Sequence, residues 1–405
     1  MKRNISKVRD CYGCGICATA CGRKIIDIRL NESGFYEPLI TDESQCTDCG
    51  ICTELCAYLH DDLSLKEPEI HPYAAWSKDY LVRRKCSSGG VGFEIGKYLL
   101  GQCYKVCGVR YDAGKNRAEH YIATTVEELI PSVGSKYIQS YTVDSFKAID
   151  RQEKYLVTGT PCQIDSFRRY IKLFRCEGNF VLLDFFCHGV PSMFVWQKYT
   201  QWAEKKVGKI TYASWRNKWT GWHDSWAIGI DGEEHGEKID WHDSYDMLIR
   251  EKKSFIESRL SQGDMFYDLF LGDCCLGKQC YEHCKYKYDQ SSADIRIGDL
   301  WGNTYKDNED GVSCAIAFTN KGKEILKECN CDLVEHPLDV VAEGQMKFAP
   351  KYRKDYAKVM QCLLSDNTSM EDVVEQLRLI RKRYIWEARL RNPLKSMFNL
   401  IKKLI

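Results

Sequence analysis

No stretch of this 405-residue chain is long and apolar enough to span a bilayer, and its opening MKRNISKVRD lacks the apolar segment of a secretory leader. A charge excess is also missing: 58 Lys and Arg against 57 Asp and Glu leave a net +1. Proteins that grip phosphate backbones normally carry a basic face, so no nucleic acid is expected among the partners. An apolar fraction of 44%, with 12% aromatic, is ample for buried cores in two or three domains. What the chain has in quantity is cysteine, 22 residues. In a chain read without a leader, these are expected to be thiolates held for metal in a reducing cytoplasm rather than disulfides.

Eight of the cysteines fall into two runs, CYGCGICATAC and CTDCGICTELC, each spaced C-x2-C-x2-C-x3-C. A tight loop with a cysteine at every third position aims three thiolates inward, and the fourth serves the other cluster. This predicts two [4Fe-4S] clusters, one on Cys11, Cys14, Cys17 and Cys56, the other on Cys46, Cys49, Cys52 and Cys21. Zinc usually takes two C-x2-C knuckles with a longer spacer, and a third cysteine at the same interval does not suit it. The residues after each fourth cysteine, Gly22 and Ala57, depart from the usual proline. Between the runs, KIIDIRLNESGFYEPLI reads as two strands about the Asn31 to Gly34 turn.

Beyond a polar linker near residue 65, Ser87, Ser88, Gly89 and Gly90 open an apolar-periodic helix. Such a loop can receive an anion or merely cap the helix. From residue 154 the pattern is β-α-β-α, the mark of a mainly parallel sheet whose ligands sit at the carboxyl ends of its strands, where Cys162 and Cys187 fall. KITYASWRNK, HDSWAIGID and EKIDWHD read as strands of a tryptophan-rich meander. Cys274, Cys275, Cys280 and Cys284 then crowd eleven residues. They suggest a third centre on Cys280 and Cys284, completed from the Cys274/Cys275 pair, Cys187 or Cys162.

SSGG at 87–90, GSKYIQS at 134–140, TGTPCQI at 158–164, FFCHGVPS at 185–192 and ADIRIGDLWG at 293–302 occur in the order seen in one family. The chain resembles the beta subunits of coenzyme F420 hydrogenases and dehydrogenases, in the bacterial form with an N-terminal two-cluster ferredoxin. That resemblance implies FAD, with Ser87, Ser88, Gly89, Gly90 and Lys136 near its phosphates, and Thr158, Gly159, Thr160, Pro161 and Cys162 near its ring. It also implies a third iron–sulfur centre, to which Cys187, Cys280 and Cys284 map. Relatives usually space the last pair C-x2-C, so the extra residue here leaves Cys275 as an alternative ligand.

The implied architecture is an α+β ferredoxin-like module at 1–62, then an α/β flavin-binding catalytic part at 63–150 and 151–345 with a mainly parallel sheet. A helical basic tail occupies 346–405. The implied function is an oxidoreductase passing electrons between ferredoxin-type clusters and FAD, acting on a small or sugar-linked substrate, in polysaccharide assembly among other settings. The alternative is an electron-transfer subunit that serves a partner enzyme. His188, at the end of a strand, is the candidate proton donor. The external partner is a ferredoxin or similar carrier. From Leu377 onward nine Lys and Arg face one Glu, an amphipathic pattern that suits either a docked helix or the inner face of a membrane.

Overall fold

The computed structural model describes residues 3–234 and 256–391. The EKIDWHD segment, read above as a strand, and the tail past residue 391 lie outside the described residues. The N-terminal module is a two-stranded antiparallel sheet, β1 (Ile26–Leu30) and β2 (Tyr36–Ile40), joined through the Asn31 turn. Asn31 closes that turn by accepting from Ser33 N and Phe35 N, each at 3.0 Å. One short helix lies within each cysteine run, Ile16–Ala20 and Ile51–Glu54.

The strands of the body are β3 (His71–Ser77), β4 (Lys105–Asp112), β5 (Arg117–Ala123), β6 (Ser140–Tyr141), β7 (Tyr155–Thr158), β8 (Phe180–Phe185), β9 (Ile210–Ser214), β10 (Ala227–Gly232), β11 (Ile256–Arg259), β12 (Ile295–Asp299), β13 (Ser313–Ala317) and β14 (Cys331–Glu335). A nine-stranded sheet runs β14-β3-β13-β12-β8-β7-β4-β5-β6. Its centre, β12-β8-β7-β4, is parallel, as the β-α-β-α pattern predicts. The sheet as a whole is mixed rather than mainly parallel. β3, β13 and β14 pair antiparallel on one side, and β5 returns antiparallel to β4. β3 reaches β13 from more than 200 residues away, a pairing that no local periodicity encodes.

β7 is apolar over residues 155–157 and β8 over residues 180–183 because both of their faces are covered there. Leu156, Val181 and Leu183 enter one core, while Tyr155, Val157, Phe180 and Leu182 enter the other. Asp184 of β8 is also fully buried, and its charge is answered by Arg296 of β12 at 2.7 and 2.8 Å and by Ser291 Oγ at 2.7 Å. Losing either partner of such a pair costs about 3–5 kcal/mol, because the other charge stays buried alone. A third core surrounds the helix Met193–Val207 and the small sheet β11-β10-β9.

The ferredoxin-like module is bonded into the body. Gln139 accepts from Tyr36 N at 3.0 Å and donates to Gly34 O at 2.8 Å and Pro191 O at 3.1 Å. Thr142 Oγ1 donates to Cys14 O at 2.9 Å, and Met193 N to Gly34 O at 2.9 Å. The helix Met370–Arg391 buries Val373, Val374, Leu377 and Ile380, while Leu379, Trp386 and Leu390 stand exposed. Among the described residues no helix is long and apolar enough to cross a membrane.

Candidate functional site

In each cysteine run the helix begins at a glycine in the left-handed region, Gly15 at φ 74° and Gly50 at φ 79°. A side chain is strained there, and at Gly15 a Cβ would meet Thr142 Oγ1 at 2.2 Å, so the loop can wrap and dock only as glycine. The wrapped backbone gathers Cys11, Cys14, Cys17 and Cys56 around one small cavity, closed by Ile5, Val8, Ile16, Ile28 and Pro38. The fourth cysteine of the second run thus joins the first three of the first run. Cys52 correspondingly faces Cys49 and Cys21, and Asn4 Nδ2 points at Cys46 Sγ from 3.4 Å. Burial raises the thiols of Cys11, Cys14 and Cys17, and pushes Cys56 up to about 12. Buried sulfurs in an apolar cage, with the Gly13 amide 3.4 Å from Cys11 Sγ, form a donor set that suits iron and sulfide, which would take them as thiolates.

A second set of four half-buried thiols lies in the body. Thr160 caps the helix Pro161–Leu173 in a capping box with Gln163, whose Oε1 accepts from Thr160 N at 2.9 Å, and Pro161 takes the first helical position. This places Cys162 in the first turn, where it faces Cys187, Cys280 and Cys284. Cys187 comes from the loop after β8, Cys280 from the helix Lys278–Glu282. Val190 N points at Cys280 Sγ from 3.4 Å.

One sequence expectation changes here and another narrows. Cys275 is not in this set: it is fully buried with its sulfur 3.7 Å from that of Cys274, on the side of Cys362. Tyr281 turns the chain there, its hydroxyl bonded to Asp273 O and Leu276 N, and so separates the cysteine pair from Cys280 and Cys284. Cys162, which the resemblance sets near a flavin ring and the spacing also offers as a ligand of the third centre, has its sulfur among the thiols.

The two thiol sets are neighbours. Tyr12, between Cys11 and Gly13, feels the charges of Cys162 and Cys284, and its hydroxyl donates to His283 O at 2.6 Å. Its ring meets Tyr58 and Tyr286 edge-on at 5.3 and 5.7 Å. Cys14 Sγ lies 3.3 Å from Ser166 Oγ, one helical turn beyond Cys162.

A cavity of about 520 Å³ opens at the carboxyl ends of β7, β8 and β12. Its wall includes Ser87, Ser88, Gly90, Lys136, Thr158, Gly159, Thr160, Cys187 and His188. Gly89, Pro161 and Cys162 stand behind the wall. The Gly89 amide bonds Ser313 Oγ at 2.9 Å, and a Cβ there would meet Ala75 O at 2.5 Å. Ser135 N donates to Ser87 Oγ at 3.1 Å, tying the two glycine loops together.

Beneath the Ser87–Gly90 loop sit two buried cations from the WRNK stretch, which the sequence reading took as a strand. Arg216 donates to Ser87 O at 3.3 Å and to Asp299 at 3.0 and 3.2 Å, while its guanidinium lies 4.8 Å from the Trp226 ring centre and 5.3 Å from that of Trp301. Lys218 donates to Ser88 O at 2.6 Å, Arg83 O at 2.8 Å and Asp310 O at 2.5 Å. Lys136 donates to Pro131 O at 2.9 Å and Val133 O at 3.0 Å. Burial lowers the ammonium of each lysine to about 7. Only the clustering of basic residues in WRNK could have signalled the two lower cations, because the loop they support lies more than 100 residues away.

His188 lines the same cavity with Nε2 2.7 Å from Asp273 Oδ1 and its ring 4.9 Å from that of Phe270. Of the other histidines, His223 pairs with Glu309 at 3.1 Å and His283 faces Tyr58 at 5.0 Å, neither on the cavity wall.

Comparison with known proteins gives three matches to family models. They are a 4Fe-4S dicluster domain over residues 10–60, then the N-terminal and C-terminal parts of the coenzyme F420 hydrogenase/dehydrogenase beta subunit over 72–147 and 152–337. A curated relative, the coenzyme F420 hydrogenase subunit beta of Methanococcus voltae, is 36% identical over 72 residues, 16% of this chain and 26% of that protein. The chain thus matches about a quarter of that relative's length. A chain of the F420-reducing [NiFe] hydrogenase complex from Methanosarcina barkeri is 16% identical, with 80% of this chain and 94% of that chain covered and a TM-score of 0.43. With both parts of the subunit matched in order behind the dicluster domain, the chain belongs to the coenzyme F420 hydrogenase/dehydrogenase beta-subunit family.

Proposed function

We propose that this protein is an iron–sulfur flavoprotein that moves electrons between an external ferredoxin-type carrier and FAD, and through FAD to a small or sugar-linked substrate. One observation carries the reading: the three sites share their walls. Tyr12 and Gly13 line both the Cys11/Cys14/Cys17/Cys56 cavity and the large cavity, and Cys187 belongs to both the second thiol set and the large cavity.

The large cavity fits a dinucleotide flavin. Its Ser87–Gly90 rim is backed by Arg216 and Lys218 and faced by Lys136, a setting that attracts a diphosphate, while Tyr137, Trp226, Phe270 and Trp301 give it an aromatic wall. Clusters carry single electrons, and a flavin converts single electrons to pairs. The chain holds these sites adjacent, buries the Cys11, Cys14, Cys17 and Cys56 set, and keeps cations where a diphosphate would lie. The Asp273 carboxylate, 2.7 Å from His188 Nε2, holds the imidazole at the cavity wall, where a proton donor or acceptor is needed. The thiol set Cys162, Cys187, Cys280 and Cys284 would hold the third centre, with Cys275 outside it.

Anaerobic purification with iron and flavin analysis tests the assignment. About twelve iron atoms and one FAD per chain are expected. Cys162→Ser should lose about four iron atoms while Cys275→Ser loses none. Iron loss from Cys275→Ser alone, or no flavin in any preparation, overturns it.

A further inference from the structure

Between the Cys162 set and the large cavity stands a charge that the function proposed above does not use. Lys287 lies just past Cys284, is 8% exposed and lines the cavity. Its Nζ donates to Cys187 O at 2.5 Å and to His188 O at 3.0 Å. Both acceptors are neutral carbonyls. Among the described residues no carboxylate lies within ion-pair distance of this ammonium.

Acidic groups of the surrounding segments have partners elsewhere, beginning with Asp289, two residues on, which accepts from Gln290 Nε2 at 2.9 Å. Asp184 is matched by Arg296, Asp273 faces His188, and Asp165 bonds Ser292 at 2.6 Å and Tyr286 at 2.9 Å. Sulfur is also near: burial raises the thiols of Cys187 and Cys280, and the charge of Lys287 works against that rise. A buried cation bonded only to neutral groups is costly unless negative charge is brought to it. Four thiolates around an iron–sulfur centre bring that charge, and each added electron brings more.

We propose that Lys287 is the positioning residue that sets the reduction potential of the centre held by Cys162, Cys187, Cys280 and Cys284. This rests on the third centre assigned above. Cys162, Cys187, Cys280 and Cys284 would hold the centre, and an electron placed on it would lower its net charge by one. The ammonium of Lys287, anchored on the carbonyls of Cys187 and His188, would offset that charge from one fixed place.

The test is a redox titration of anaerobically purified protein, followed by electron paramagnetic resonance, in wild type, Lys287→Met, Lys287→Gln and Lys287→Arg. The neutral variants should move one centre to a more negative potential and leave the two N-terminal centres unmoved. Lys287→Arg should restore most of the shift, because it keeps the charge. An unmoved potential in both neutral variants overturns the proposal, as does an equal shift in Lys287→Arg, which would mark a packing effect. Loss of one centre's iron in both neutral variants also overturns it, since the role would then be assembly. Wild-type protein with about eight iron atoms would deny the third centre itself, whereas about twelve with an unmoved potential would deny only the role of Lys287.

Discussion

Lys136 shows how a single side chain carries two opposed demands. Burial in the cavity wall lowers its ammonium to about 7, so the folded protein sheds a proton that the unfolded chain would keep up to the ordinary lysine range. Between those limits the unfolded state binds more protons, and stability of the flavin-free protein rises with pH. Lys218 is lowered to about 7 as well and contributes with the same sign. An anion in the cavity acts in the other direction, because it favours the charged lysine. ADP binding to flavin-free protein should therefore weaken from pH 6.5 to 8.5, by on the order of tenfold. Lys136→Met should bind ADP weakly at both values with a flatter profile, as measured by calorimetry. A wild-type affinity independent of pH would exclude Lys136 from the anion's surroundings. At this scale the cysteines were the most legible residues, since C-x2-C spacing is a local property. Cys275 misled because proximity in sequence to Cys280 says nothing about the Tyr281 bonds that turn it into the core.

Loops between elements carry the chemistry, and their glycines fix where it happens. Gly90 opens the helix Val91–Gly101 at φ 85°, with Val82 Cγ1 3.2 Å from where a Cβ would stand. Gly90→Ala should cost about 1–2 kcal/mol of stability from the left-handed backbone alone. It should also weaken FAD retention, because the helix start and the Ser87–Ser88 amides shift together. Thermal melting and flavin content of the purified variant measure both, and unchanged flavin content would show that the rim is not part of the binding loop. The helix after β7 was legible as part of the β-α-β-α pattern, whereas its capping box of Thr160 and Gln163 emerges only from the structure. The Cys162 sulfur was one of several ligands offered for the third centre, and sequence could not choose among them because the choice depends on three thiols delivered by elements more than 20 residues away. The same reason hid Arg216 and Lys218: a stretch that reads as strand and turn supplies the cations under a loop from another part of the chain.

At the level of the whole molecule, the central parallel strands were legible because apolar runs alternating with helices have few other solutions. The antiparallel flank of β3, β13 and β14 was not, since its partners come from both ends of the body. That flank matters for function: β13 supplies Ser313, which holds the Gly89 amide, and so steadies the rim of the cavity. The ferredoxin-like module is likewise tied to the body through Gln139, Thr142 and the Ser33–Gly34 turn, a docking that puts Tyr12 beside both thiol sets. A module hung on a free linker would need to find its acceptor at each turnover, whereas this one is already in place. The central claim, that electrons enter at Cys11–Cys56 and cross to a flavin in the large cavity, is tested most directly by mixing anaerobic protein with a reduced low-potential ferredoxin and following flavin absorbance. Wild-type protein should lose its flavin absorbance rapidly, and Cys14→Ala should retain bound FAD but leave it oxidised. Equal flavin reduction in Cys14→Ala would contradict the route.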